Sequence, residues 1–208
     1  MFLSDFICPN TNVNRSVNIE RDVVSDAVIQ NYKLTQKGLH ILDRFVEALE
    51  NNSQTSWSLT GPYGMGKSSF LSFVIALCGK QNDPKTILAR DRLLLKNPNL
   101  LQRLLHQLSR YSASSSGLIR IPIVSAYQSV TTSVAHGLLS ALSSAVDSEE
   151  ITNFRITFEY NRLREDVETD KIDAQRLIKS ISSIRKVMNA PIIIAIDEFG
   201  KNRSGPKV

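Results

Sequence analysis

The most specific chemistry in this chain sits in eight consecutive residues, Gly61-Pro62-Tyr63-Gly64-Met65-Gly66-Lys67-Ser68. They satisfy G-x-x-x-x-G-K-[ST] in full, and each position has a physical reason. Gly61, Gly64 and Gly66 permit backbone dihedrals and a close approach that a side chain would block. The amides from about Tyr63 to Ser69 can then turn inward and cradle a chain of phosphates, helped by the positive end of the following helix. Lys67 is placed to reach the β- and γ-phosphates, and the Ser68 hydroxyl to supply one Mg²⁺ ligand. Pro62, Tyr63 and Met65 fill variable positions, with Tyr63 able to cover the loop. A plain glycine turn beside a surface lysine would not require this complete spacing.

A second constellation, Ile192-Ile193-Ile194-Ala195-Ile196-Asp197-Glu198, places Asp197 130 positions beyond Lys67. An apolar strand buried on both faces ends there in two adjacent carboxylates. Asp197 is suited to hold Mg²⁺, and Glu198 to polarise an attacking water, the base role that phosphoryl transfer to water requires. Taken alone, such a string is as easily a strand followed by an acidic turn. Beside an intact phosphate loop, the chemical reading prevails.

The elements that must position these residues can be read outward from them. Trp57-Ser58-Leu59-Thr60 is expected as a short strand leading into the glycine turn. A helix from about Lys67 to Cys78 is apolar almost all round and so should be buried, with Gly79 placed to end it. Thr35 reads as the N-cap of an amphipathic helix carrying Leu39, Ile41, Leu42, Phe45, Val46 and Leu49. Residues 84–112 read as two helices broken near Asn97-Pro98. Leu118–Ala126 alternates as a strand, and Ser129–Val146 forms a helix of small residues. Within 151–168, Ile156–Tyr160 could pair as a strand. Asp170–Met188 is helical, and Pro191 introduces the last strand, Ile192–Ile196. The order strand, helix, strand, helix, strand predicts an α/β layer fold with parallel strands. Residues 1–34 read as an irregular N-terminal arm, 35–208 as the main domain, with a basic helical insertion at about 80–117.

Composition bounds the remaining choices. The chain has 208 residues, 42% of them hydrophobic and 22% charged, which fits a globular protein and excludes a disordered tail or a fibre. Its apolar runs are too short to span a membrane, and MFLSDFICPN lacks the basic start of a signal peptide. Cys8 and Cys78 form no pattern, so a reduced, cytoplasmic protein is expected. The net charge of +5 is unevenly spread. Residues 80–120 carry eight cations (among them Arg90, Arg92, Arg103 and Arg110) against two acids, and 147–170 carry eight acids against three arginines. The basic stretch is either a solvated helix face or a surface for DNA or an acidic partner. His40, His106 and His136 show no metal or triad spacing, and Trp57 reads as core.

Gly61–Ser68 resembles a Walker A motif and Ile192–Glu198 a Walker B motif, so the chain is similar to the P-loop NTPases. The Asp197-Glu198 pair resembles the branch with a catalytic glutamate, which includes AAA+ and STAND-type ATPases. GPYGMGKSSF and IAIDEFGK are similar to large bacterial ATPases of anti-phage defence. The resemblance implies a three-layer α/β domain with a mainly parallel sheet ordered 5-1-4-3-2, ATP and Mg²⁺ as ligands, and hydrolysis driving conformational change in a homo- or hetero-oligomer or larger assembly. It implies a nucleotide site of Gly61, Pro62, Tyr63, Gly64, Met65, Gly66, Lys67, Ser68 and Ser69. Ser68 and Asp197 would hold the metal, with Glu198 and Lys67 catalytic. Tyr32 and Leu34 stand where AAA+-like proteins often contact the base. The fourth and fifth strands, the lid and an arginine finger have no counterpart after Glu198. The expectation is a domain incomplete at its C-terminus, with an altered strand order or a completing partner as alternatives. Three other functions are weighed: a nucleotide-gated switch with negligible turnover alone, a nucleic-acid-binding protein in which the basic segment 80–120 dominates, and a GTPase, because Asp197-Glu198-Phe199-Gly200 fits D-x-x-G. The long interval from Lys67 and the missing N-K-x-D motif count against the GTPase.

Overall fold

The computed structural model describes residues 19, 26–53, 56–62, 64–111, 117–124, 129–146 and 154–197. A short helix, α1 (Asp26–Asn31), lies within the stretch expected to be an irregular arm. It folds because Ile29 has a core to enter. Helix α2 (Gln36–Asn51) starts where the sequence places it: the Thr35 hydroxyl accepts from the Gly38 amide at 3.1 Å. Its Leu42 and Val46 are fully buried, and Asn52 ends it in the left-handed region.

Helix α3 (Lys67–Leu77) buries Phe70 and every residue from Ser72 to Leu77, as its all-round apolar character predicts. Asp83 caps α4 (Pro84–Lys96), whose first residue is proline, the position where a missing amide costs least. Asn97 then breaks the path, and its side chain accepts from the Leu100 amide at 3.0 Å to start α5 (Pro98–Tyr111). These five helices share one core containing Leu42, Phe73, Leu77, Leu93 and Leu104.

Strand β1 (Ile119–Val124) is followed by α6 (Val130–Val146), α7 (Phe154–Glu168), α8 (Ala174–Met188) and β2 (Ile192–Asp197). The two strands pair in parallel, Ile119 opposite Ile192 through Val124 opposite Asp197. This adjacency is the one the 5-1-4-3-2 order implies for its second and third strands. Ile119, Ile121, Ile123, Ile192 and Ile196 pack with α6, α7 and α8. Ile193 and Ala195 face the other side, toward α3. Ala195 meets Ile75 of α3 in a small cluster completed by Ile19.

Two expectations fail among the described residues. Trp57–Thr60 joins no sheet, so the sheet described has two strands and the domain is mostly helical. The three-layer arrangement is therefore met only across β1 and β2. The segment keeps an extended chain's alternation, with Trp57 and Leu59 half-buried and Ser56, Ser58 and Thr60 exposed. Residues 156–160 are not a strand but the first turns of α7. No described helix is long and apolar enough to cross a membrane.

Candidate functional site

Residues 64–66 lead into the start of α3. Gly64 and Gly66 hold φ of 80° and 76°, left-handed values that a side chain resists, and Gly66 is the N-cap of α3. Gly61 differs: its φ is not in that region, and a Cβ built on it would meet nothing within 4 Å. Its glycine is thus unexplained by the loop's own sterics. With no side chain at Gly66 to cap the helix, no hydroxyl or carboxylate competes for the first amides of α3. Those amides carry the positive end of the helix dipole.

The Lys67 amine turns back over the loop, donating to the Gly61 carbonyl at 2.9 Å and the Pro62 carbonyl at 2.8 Å. The structure thereby brings Gly61, Pro62 and Lys67 together. Met65 is 64% exposed, a large apolar side chain projecting from the loop. Ser68 and Ser69 are half-buried in the first turn of α3, the helix that packs on β2. Asp197 is half-buried as the last residue of β2. Tyr63 and Glu198 lie outside the described residues.

A hydroxyl and a carboxylate, Ser68 and Asp197, are hard oxygen donors of the kind Mg²⁺ takes. The donor set fits the cation in chemistry. The buried cluster that Ile75 shares with Ala195 sets the helix bearing Ser68 against the strand bearing Asp197.

Sequence reasoning missed what holds α3 at its back. Arg90 donates to the carbonyls of Leu77 at 3.3 Å and Gly79 at 3.2 Å, placing a cation at the negative end of α3. Burial and the nearby Arg120 weaken the hold of Arg90 on its proton, while the Cys78 thiol opposes them. Burial pushes that thiol up to about 12. Arg92 donates to the carbonyls of Tyr32, at 2.7 Å, and Gln30. The Tyr32 ring lies 5.0 Å from Phe73 and 6.4 Å from Phe70, so it packs on α3. Burial raises its phenol to about 12. Nothing in the spacing of these residues announces the contacts, because each joins segments distant in sequence.

The basic stretch is largely consumed by the fold. Besides Arg90 and Arg92, Arg103 bonds Glu50 and Asp43, Arg110 bonds Gln107, and Arg120 reaches Asp83 at 3.4 Å.

A glycine-capped loop carrying its lysine into a buried helix, beside a parallel strand ending in aspartate, defines a P-loop nucleotide-binding domain. The model of the KAP family P-loop domain matches residues 39–201, well over half of the chain, and the chain belongs to that family. No curated protein and no solved structure gave a significant match. A P-loop NTPase domain binds nucleotide, generally with Mg²⁺, and hydrolysis is the activity open to it.

Proposed function

We propose that this domain binds Mg·ATP through a Walker A loop, Gly61–Ser68, and a Walker B strand, Ile192–Glu198, and hydrolyses the β–γ bond. The observation that carries the reading is the Lys67 amine held over the loop by the Gly61 and Pro62 carbonyls. Those two bonds are exposed and weak to exchange, and phosphate oxygens offer the ammonium a stronger, charged acceptor. In this reading the amides of Gly64, Gly66, Lys67, Ser68 and Ser69 receive the phosphates, with Pro62, Tyr63 and Met65 completing the loop. Ser68 and Asp197 hold Mg²⁺, which when bound neutralises developing charge on the phosphates. Glu198 orients and deprotonates the attacking water, which places the chain in the catalytic-glutamate branch with AAA+ and STAND ATPases. Catalysis is then chiefly electrostatic preorganisation.

The turnover would drive a conformational change in a larger assembly, an anti-phage defence complex being the specific case. Residues 1–34 would be an arm and 80–117 an insertion of the domain. DNA contact through 80–120 finds little support, since its arginines already donate within the fold. The test is Mg²⁺-dependent binding of labelled ATP and GTP to the native chain and to Lys67→Ala. Saturable ATP binding that weakens about tenfold or more in the variant supports the reading; preference for GTP, or an affinity unchanged by the substitution, overturns it. Slow turnover abolished by Glu198→Gln, with ATP binding retained, would support hydrolysis over a switch that merely binds.

A further inference from the structure

Helix α8 runs AQRLIKSISSIRKVM, with four cations and no acid. Leu177, Ser180 and Ile184 are buried toward the sheet and α7. Ile178, Lys179, Ser182, Arg185 and Lys186 are all exposed, and at 100° per residue they fall within about a third of the helix circumference. Arg176, off this stripe, bonds Asp166 of α7 at 2.5 Å. Lys179, Arg185 and Lys186 have no hydrogen bond or ion pair among the described residues. The contrast with 80–120 is direct: there every arginine from Arg90 to Arg120 donates to a group within the fold.

We infer that the outer face of α8 binds the phosphate backbone of duplex DNA, without base readout, through Lys179, Arg185 and Lys186. Charge complementarity selects a polyanion. From Lys179 to Lys186 the helix rises about 10 Å, the length of about three phosphate steps along one DNA strand. An anionic bilayer fits less well, because the apolar side of α8 is committed to the core and only Ile178 is exposed among the cations. Ser182 adds a neutral donor of the kind that fixes register on a backbone. The helix ends at Asn189 and leads through Ala190 and Pro191 into β2, whose last residue is Asp197. Contact at this face therefore bears on the strand packed against α3, the helix that the phosphate loop opens. The face contains no residue of that loop, so its failure would leave the nucleotide reading untouched.

The experiment is fluorescence anisotropy of a labelled mixed-sequence 30-base-pair duplex titrated with the full chain, without nucleotide. The native chain should bind, and raising salt from 50 to 200 mM should weaken binding about 40-fold, as about three neutralised phosphates require. Lys179→Ala/Arg185→Ala/Lys186→Ala should remove most of that affinity and flatten the salt slope. Alanine favours helix, so the fold is retained, and circular dichroism checks it. A control of equal charge loss, Lys33→Ala/Lys37→Ala/Lys96→Ala, draws on exposed lysines elsewhere and should bind like the native chain. An equal loss in the control would make net charge, not this face, the cause and overturn the proposal. So would absence of DNA binding, or salt-sensitive self-association or retention on phosphatidylserine vesicles that depends on the α8 cations while DNA is ignored.

Discussion

The Nζ atom of Lys67 lies 2.9 Å from the carbonyl oxygen of Gly61, six residues earlier in the chain. The bond is exposed, so it adds little to global stability. Its value is positional, since it holds a cation over the loop. Lys67→Ala should leave the melting temperature within about 1–2 °C of native, because surface changes away from structural features are small. Nucleotide affinity should fall about 10- to 100-fold, the equivalent of one lost charge-assisted bond. Equilibrium binding and thermal melting on the same preparation check both halves.

The loop glycines should separate by cause. Gly66, at φ 76°, caps α3 in a conformation that L-residues resist. Gly66→Ala should cost about 1–2 kcal/mol, read as a fall of about 3–6 °C in melting temperature. Gly61 has ordinary φ and open space around it. Gly61→Ala should melt like the native protein yet bind ATP more weakly, because only a ligand's close approach then requires glycine. Equal destabilisation by the two substitutions would contradict this division.

This division also marks what the sequence could tell. The phosphate loop, α3, the Thr35 cap and the break at Asn97 were legible because each is encoded locally, by a hydroxyl, a glycine or a proline at a fixed offset. The brief strand that the sequence left open at Ile156–Tyr160 did not form, although Ile156, Phe158 and Tyr160 alternate as a strand would. The fold instead buries Ile156 and Leu163, two helical turns apart, and leaves Phe158 54% exposed. Tertiary context decided between two periods that five residues cannot distinguish. Trp57–Thr60 kept its alternation but found no ladder among the described residues, and pairing depends on neighbours that local pattern does not specify. The internal use of Arg90, Arg92 and Arg103 was invisible for the same reason. A count of charges does not say which carbonyls and carboxylates will fold against them.

Arg103 grips Glu50 with two parallel bonds, Nε to Oε1 at 2.8 Å and Nη2 to Oε2 at 2.6 Å, and holds Asp43 with Nη1 at 2.6 Å. The hydrogen bonds from Arg103 keep the Glu50 carboxyl below its ordinary range, opposed by partial desolvation. A carboxylate with a depressed folded pKa contributes stability above its unfolded pKa and loses it as pH falls through the folded value. Glu50→Gln should therefore lower stability at pH 7 by about 1 kcal/mol, the upper end for a partly exposed pair. The gap between variant and native should narrow as pH falls below about 4. Melting curves of both proteins across pH 7 to 3 would show it; a gap constant with pH would assign the loss to packing.

Gly137 lets α6 lie close on β1. A Cβ there would stand 2.6 Å from the Ile121 Cγ2 atom, and Ile121 is fully buried. Gly137→Ala should thus destabilise, despite alanine's better helix propensity, by about 1–3 kcal/mol of overpacking. Ile121→Val does not remove that methyl, but Ile121→Ala does, so Gly137→Ala/Ile121→Ala should cost less than the sum of the two single changes. Chemical denaturation of the four proteins measures the coupling.

Arg92 ties α1 and the turn after it to α4, donating to the Tyr32 and Gln30 carbonyls while Tyr32 packs, tilted, against Phe73 of α3. Its guanidinium spans two acceptors at once, a geometry that a lysine ammonium does not reproduce. Arg92→Ala should therefore release residues 26–32 before the rest of the domain. Amide exchange there should quicken by about 10- to 100-fold, the equivalent of about 1.5–3 kcal/mol for bonds to a charged donor. Amides of α5 and β1, which have other anchors, should keep their protection. Arg92→Lys should restore only part of the loss. If exchange quickened equally throughout the chain, Arg92 would be supporting the whole core rather than this segment, and the packing of Tyr32 on α3 would have to be judged independent of it.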